Sequence, residues 1–146
     1  MTLITAPDVR QLLRGWLKDQ PEVTALCGTR VWSKVPATKA WPAVKIERPA
    51  GGPLYGHGNF VHRPLLQLTC YSTPSTPSDA IELADTIIAV MTARFNGPIT
   101  AGPLSAAISD LRFGGVHEGF DTTDEDRPLA RFDVVVTAHP SRTVSS

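Results

Sequence analysis

The chain has 146 residues, with fourteen basic and fourteen acidic side chains and a formal net charge of zero. A chain of this length is typical of one domain that buries enough apolar surface to fold without disulfides or metals. The balanced charge gives no electrostatic reason to expect tight binding to nucleic acid or to an anionic membrane. Composition therefore predicts a single globular domain over residues 1–146.

The two cysteines, Cys27 and Cys70, lie far apart in the sequence. Cys70 falls on the core face of a predicted strand and Cys27 ends a short predicted helix, so we expect two free thiols in a reducing compartment. No apolar run reaches the length of a membrane span, and the N-terminus lacks a basic region followed by a long apolar core. We therefore expect the protein to stay in the cytoplasm in which it is made.

The first predicted element is an amphipathic helix over Thr5–Gln20. Five apolar residues recur along it at helical spacing: Val9, Leu12, Leu13, Trp16 and Leu17. Thr5 or Ala6 precedes Pro7 at the start of the helix, and Asp8 lies in the first turn, where the helix dipole favours an acid. The pattern indicates a helix docked on a sheet, and a membrane-surface helix is the weaker alternative because a core is available to take the same face.

Shorter elements follow this helix. Pro21–Leu26 is predicted as a single helical turn, and residues 30–32 as a short extended segment. Ala43–Glu47 alternates, with Val44 and Ile46 facing inward, and is the first long predicted strand.

Residues 48–62 form a predicted long loop that is rich in glycine and proline but contains several apolar and aromatic side chains. A loop of about fifteen residues in a compact domain is usually functional or disordered. Embedded aromatic residues favour a segment that orders on binding, and a mobile hairpin tip is the alternative. His57 and His62 have no cysteine or carboxylate nearby, so we expect no metal site there.

The stretch from Arg63 to Phe95 carries the clearest pattern in the chain. It begins with a strand of period two, in which Leu66, Leu68 and Cys70 share one face. The opposite face carries Gln67, Thr69 and Tyr71. The alternation predicts a strand with one buried and one polar face.

A long helix follows this strand. Thr76 is the predicted N-cap, Pro77 the first helical residue and Asp79 the partner in a capping box, and the segment at 96–98 ends the helix. Its apolar arc spans about 180°, whereas contact with one sheet needs only about 100°. We therefore expect this helix to pack on a sheet and to contact something else at its side.

Two strands are predicted in the last third of the chain, Ala106–Phe113 and Leu129–Ala138. The first contains a break in parity between Ile108 and Leu111, which predicts a bulge or a short strand. Between them, residues 114–127 form a second predicted long loop. Its four acids do not match an EF-hand, so a solvated loop or one that pairs with a neighbouring subunit is favoured over a calcium site. Residues 139–146 are predicted to be a polar, frayed tail.

These elements predict an α+β fold, a two-layer sandwich. Its sheet is mostly antiparallel or mixed, with about four to five strands, and two main helices cover one face. The sequence contains none of the motifs of common hydrolases, nucleotide-binding proteins or metalloenzymes. We therefore expect no catalytic residue, no cofactor and no metal, and a protein that acts through its surfaces.

Several motifs, in this order, resemble the tail terminator (tail completion) proteins of long-tailed bacteriophages. An amphipathic helix and a short helix lead into Gly28-Thr29-Arg30-Val31-Trp32. A proline then precedes the apolar strand that starts at Ala43, and Tyr71-Ser72 is followed by a helix that opens with Ser78-Asp79-Ala80. A last strand contains Arg131-Phe132-Asp133-Val134. The resemblance covers most of the chain.

The resemblance implies a structural virion protein located at the junction of head and tail and assembled in the bacterial cytoplasm. Proteins of this family form rings, usually hexamers, on the last ring of the tail tube. The ring stops tube elongation and offers a surface to the head connector. The implied partners are other copies of the chain, the tail tube protein and the connector, while DNA passes through the ring without specific binding.

Two sets of residues are candidate interfaces. We expect the loop residues Leu54, Tyr55, His57 and Phe60 to dock on a partner ring. We expect an acidic segment to pair with Arg30 or Arg48 of a neighbouring subunit. That segment contains Asp121, Asp124, Glu125 and Asp126. The alternatives are another head–tail joining or tail tube protein of a phage and, more distantly, an unrelated small α+β enzyme or ligand-binding domain.

Overall fold

The computed structural model describes residues 2–3, 8–49, 61–124, 126–140 and 144–145. The helices in these ranges are α1 (Val9–Leu17), α2 (Pro21–Cys27) and α3 (Ser78–Arg94). The strands are β1 (Thr2–Leu3), β2 (Val31–Trp32), β3 (Ala43–Glu47), β4 (Leu65–Tyr71), β5 (Gly97–Ala101), β6 (Leu104–Phe113), β7 (His117–Asp121), β8 (Arg127–Pro140) and β9 (Val144–Ser145).

Seven strands form the main sheet, in the order β2-β3-β4-β8-β6-β5, with β7 paired to β8. β2 runs parallel to β3, and the other pairs are antiparallel. The sheet is curled into a half-barrel, and β1 and β9 form a separate antiparallel pair. The predicted α+β class and mixed sheet are confirmed, but the predicted two-layer sandwich with four to five strands is wrong, because the sheet has seven strands and is curled into a half-barrel.

The helices fill the concave side of this half-barrel. α1 contacts β5 and β6 as well as β2 and β3, so it spans from one edge strand of the curled sheet to the other. α3 lies on β4 and β8, in the middle of the sheet, and α2 contacts α3. The rings of Trp16 on α1 and Phe95 after α3 lie 4.8 Å apart between their centroids. The core is therefore one continuous layer between the sheet and the helices.

The start of α1 differs from the prediction. Asp8 lies before the helix rather than in its first turn, and its Oδ1 accepts a hydrogen bond from the Gln11 backbone N–H at 3.2 Å. Thr5 and Ala6, predicted to lie just before Pro7 at the start of the helix, are outside the described residues. At Gly15 an added Cβ would lie 3.0 Å from the Ala101 Cβ. Glycine at this position therefore permits the close approach of α1 to β5.

The start of α3 also differs. No side chain caps the helix, which follows Pro77 directly. The hydroxyl of Thr76 lies 2.7 Å from that of Thr73, and its carbonyl accepts from the Asp79 N–H at 3.1 Å. The capping box is thus wrong, because Thr76 bonds within the preceding turn instead. The wide apolar arc is visible in Ile81 and Ile88, which are only half-buried.

The strands follow the predicted faces with one main exception. Leu66, Leu68 and Cys70 are completely buried, as predicted, and so are alternate residues of β8 from Ala130 to Ala138. Thr69 and Tyr71, predicted on an open polar face, are buried too. The outer face of the sheet is therefore covered near the end of β4.

The last third of the chain contains more strand than the sequence predicted. The predicted bulge is confirmed by a register shift between Ile108 and Asp110. β5 lies where no strand was predicted, β7 lies inside the predicted loop 114–127, and β8 continues two residues past Ala138.

Candidate assembly surfaces

β6, β7 and β8 form one long hairpin. Phe113 pairs with Val134 and His117 pairs with Arg131, so residues 114–116 face the two residues between those partners on β8. This excess of one residue makes β6 and β7 two halves of a single bulged strand. The predicted acidic segment is therefore the turn at the tip of this hairpin.

Arg127 attaches the tip to the outer face of the sheet. Its guanidinium carbon lies 3.9 Å from the centroid of the Trp41 ring, and its Nη1 donates to the Ser72 carbonyl at 3.1 Å. Its Nε donates to Asp124 Oδ2 at 2.8 Å. Trp41 in turn contacts Tyr71, with ring centroids 5.5 Å apart. This cluster explains the covered outer face, and burial raises the pKa of Tyr71.

The predicted acidic residues differ in their surroundings. Asp121 accepts from the Thr123 hydroxyl at 2.6 Å and from the Thr123 N–H at 3.0 Å, and the hydroxyl is the main cause of a lowered pKa for Asp121. Asp124 is paired with Arg127 of its own chain. Asp126 is exposed, with a φ of 51°, and Glu125 lies outside the described residues. Asp126 is thus the described acid of the turn with the most open carboxylate.

Phe120 is a surface residue that sequence reasoning missed. It lies on β7 opposite Pro128 and is 65% exposed, the one large hydrophobic side chain among the described residues that is exposed. Its neighbour Glu118 is also exposed. A single aromatic in a segment with few apolar residues gives no periodic signal, so this residue becomes visible only when β7 is seen at the edge of the sheet.

The two predicted basic partners lie in different settings. The Nε of Arg30 donates to the Pro42 carbonyl at 2.7 Å, within its own chain. Arg48 is exposed just after β3 and, with Asp8, Arg10 and His62, lines a depression of about 430 Å³. Burial and then the Arg48 charge lower the pKa of His62, and the Asp8 carboxylate opposes them. Arg48 is therefore the more available of the two for a partner.

The predicted partner-ring residues Leu54, Tyr55, His57 and Phe60 lie outside the described residues, so their role stays a prediction. Of the other predicted interface residues, the structure places the acidic turn at one end of the sheet and Arg48 at the other. Arg48 follows Glu47, which pairs with Gln67 near the start of β4. The acidic turn follows β7, whose Gly119 pairs with Leu129, and Leu129 in turn pairs with Tyr71 at the end of β4.

The described residues carry little that suggests chemistry. No group of three or more histidine, cysteine or acidic side chains among them is arranged to hold a metal. Cys27 and Cys70 are free and buried, and burial raises the pKa of both thiols. None of the helices in the described ranges has the length and apolar character needed to cross a membrane.

Comparison with known proteins places this chain among phage tail proteins. The family model described as "Tail completion protein gp17" matches residues 11–138. A chain from the structure titled "Virion of native gene transfer agent (GTA) particle" is 15% identical and has a TM-score of 0.53, with 90% of this chain and 93% of that chain covered, so it shares the fold. No curated protein matches. Because the family match spans α1 to β8, the chain belongs to the tail completion protein gp17 family, structural proteins of the bacteriophage tail.

Proposed function

We propose that this protein forms a ring, six-fold in the family pattern, on the end of the tail tube. The ring stops tube elongation and provides the surface that joins the tail to the head connector. The observation that carries this proposal is the family match over residues 11–138. The protein acts in this role by binding other proteins, without a catalytic step.

Features of the surface support a role in assembly. Ile81 and Ile88 widen the apolar arc of α3; they pack against the core but remain half-buried, so each leaves part of its side chain open to a partner. The tip of the β6–β7–β8 hairpin exposes Phe120. A net charge of zero suits a ring through which DNA passes, because each lysine or arginine bound to phosphate would add a salt-dependent contact to break.

Deletion of the gene tests this function. We expect phage without the protein to make heads and tails that do not join, with tails of irregular length, both visible by electron microscopy. The wild-type gene supplied in trans is the control and restores joined particles. Normal joined particles in the deletion strain would contradict the proposal.

The purified protein gives a second test. Light scattering and electron microscopy over a range of concentrations should show discrete rings with a central hole. Long tubes would instead identify a tail tube protein, because a terminator stops after one or two rings. A chain that stays monomeric and is not captured by added tail tubes would also contradict the proposal.

The glycine-rich loop contributes to docking on a partner ring in this proposal, through Leu54, Tyr55, His57 and Phe60. Deletion of residues 51–58 should abolish attachment of the ring to the tail while leaving the free protein folded. A matched control replaces the same residues by a glycine–serine segment of equal length, which separates loop length from side-chain contacts. Normal attachment with either variant would contradict this role.

The acidic turn pairs with a basic residue of the neighbouring subunit, Arg48 or Arg30, in the same proposal. Asp126→Lys should weaken ring formation, because this carboxylate is exposed and free to reach a neighbour. Glu82→Lys makes the same charge change on the exposed face of α3 and is the control. Asp126→Lys rings as stable as those of Glu82→Lys would contradict the pairing.

A further inference from the structure

β7 is an edge strand with an unusual combination of exposed groups. In the described part of the chain it pairs with β8 alone, so the backbone donors and acceptors on its other side have no strand partner. Phe120 is 65% exposed beside this edge, and Glu118 is exposed two residues earlier. An exposed edge of this kind is a ready site for another chain.

A basic surface lies at the other end of the sheet. Arg10 and Arg48 line the same depression, and neither has a carboxylate within ion-pair distance among the described residues. Asp8 is the acid in this depression, and its Oδ1 already accepts from the Gln11 N–H. The depression therefore carries two arginines and one carboxylate, a net positive charge, and neither arginine is ion-paired within the described residues.

The two surfaces cannot meet within one molecule. Phe120 pairs with Pro128, whose carbonyl accepts from the Ser72 N–H, so Phe120 is level with the end of β4. Arg48 follows Glu47, the partner of Gln67, so it is level with the start of β4. About six residues of strand at roughly 3.3 Å each separate the two levels, or about 20 Å.

We propose that the β7 edge, with Phe120 and Glu118, is the docking surface for the Arg10 and Arg48 side chains of a second copy of this chain. The contact joins one end of a subunit to the opposite end of the next. It rests on the ring proposed above and names the surfaces that build it. Such a heterologous contact between identical chains builds a closed ring when the rotation from each subunit to the next completes a full circle.

An arginine side chain can bind all three kinds of group on this edge, which are the Phe120 ring, the Glu118 carboxylate and the backbone carbonyls. A guanidinium stacks on aromatic rings, pairs with carboxylates and donates to carbonyl oxygens. The molecule already uses these contacts internally: the guanidinium of Arg127 lies over Trp41 and bonds Asp124, and the Nε of Arg14 donates to the Val31 carbonyl at 3.0 Å. One arginine of a second copy can therefore neutralise Glu118 while its planar head covers Phe120.

Two variants with one inactive surface each test the contact. Glu118→Lys with Phe120→Ser removes the edge surface, and Arg10→Glu with Arg48→Glu removes the basic surface. Each variant alone should remain monomeric at concentrations at which the wild-type chain assembles. In an equimolar mixture, the basic variant supplies an intact edge and the edge variant supplies an intact basic surface, so each molecule can make one contact. Sedimentation should therefore show a species of twice the monomer mass and nothing larger.

Controls separate folding from assembly. The altered residues are exposed or half-buried, so thermal melting should show a Tm within a few degrees of wild type for both variants. Asp19→Lys with Glu82→Lys changes two exposed acids that belong to neither surface and should assemble like wild type. A folded edge variant or basic variant that assembles like wild type would overturn the contact.

Other outcomes distinguish this contact from the proposed function. A mixture that forms full rings, or a wild-type chain that stays monomeric to its solubility limit, overturns the contact. Headless tails in the deletion strain, together with rings that neither variant disturbs, would leave the tail function standing and remove this interface. Mixtures that stop at dimers, with a deletion strain that makes normal particles, would retain the interface and remove the tail function.

Discussion

The two sides of β8 show how one strand serves both the fold and the surface. On one side β8 pairs with β4, whose residues from Leu66 to Tyr71 are mostly buried. On the other side, over residues 127–131, it pairs with β7, on which Phe120 is 65% exposed. α3 lies over β4 and β8. The covered side stabilises the domain, and the open side is available for a partner.

This contrast has a physical cause. Apolar burial stabilises a fold by about 25 cal/mol per Å² of surface removed from water, so β4 contributes strongly. β7 gains mainly backbone hydrogen bonds to β8, each of which contributes about 1 kcal/mol. Changes on the two sides should therefore separate stability from assembly.

The largest expected effect comes from the core face of β8 itself. Phe132→Ala should lower the free energy of unfolding by about 3–5 kcal/mol, because this fully buried ring leaves a cavity in the core. Phe120→Ala removes the same atoms from the open side and should change stability by less than about 0.5 kcal/mol. Chemical denaturation measures both values.

Similar losses for the two phenylalanine variants would break the comparison. They would mean that Phe120 packs against the fold in solution. Its assignment to a docking surface would then fall as well.

A smaller effect is expected where the hairpin tip joins the sheet. Arg127→Ala should cost about 2 kcal/mol, because it leaves the Ser72 carbonyl without its buried donor and Asp124 without its partner. Arg112→Ala also breaks an ion pair, with Asp110, but its side chain is 82% exposed, so the cost should be at most about 0.5 kcal/mol. Equal costs in thermal denaturation would show that the tip is not anchored by Arg127.

The smallest effect concerns the pH dependence of the turn. The Thr123 hydroxyl is the main cause of the lowered pKa of Asp121, so Thr123→Ala should raise that pKa toward its ordinary value, while Thr123→Ser should keep it low. Because the pKa is lower in the folded state, this hydrogen bond stabilises fully above the unfolded value of about 4. Its contribution disappears as pH falls through the folded pKa. NMR titration of the Asp121 carboxyl carbon measures the shift, and an unchanged pKa in Thr123→Ala would contradict it.

Elements with one strongly buried face were predictable from the sequence. The alternation in β4 and β8 placed the core residues correctly, and the broken parity between Ile108 and Leu111 predicted the bulge in β6. These features are visible because burial selects apolar residues at a fixed period. The curvature of the sheet has no such period, since it depends on contacts such as those of α1 with both β2 and β5.

Strands with a short or weak apolar pattern were not predictable. β5 begins with Gly97-Pro98, which sequence rules assign to a turn, and β7 has few apolar residues. The predicted cap of α3 was wrong for a local reason, because the Thr76 hydroxyl bonds the Thr73 hydroxyl instead of the helix. A local hydrogen bond such as that of Thr76, and the pairing of an exposed strand such as β7, leave no hydrophobic period from which they could be predicted.

The candidate interfaces show the same limit. The charges of Asp126 and Arg48 were visible in the sequence, but their location at opposite ends of the sheet required the register of β3, β4 and β8. The engagement of Asp124 by Arg127 and the exposure of Phe120 also required the folded chain. Sequence gives the candidates, and geometry decides which of them are free.

The hydrogen bonds around Val31 have a consequence for solubility. The Arg30 carbonyl accepts from the Val44 N–H toward β3, so the amide and carbonyl of Val31 point away from the sheet. Its N–H donates to the Thr29 carbonyl at 2.8 Å, and its carbonyl accepts from Arg14. A strand of another molecule therefore has no unpaired backbone group to bind at Val31. Edge-to-edge pairing of two copies is therefore blocked at this position of β2, which protects the folded chain against aggregation through this edge.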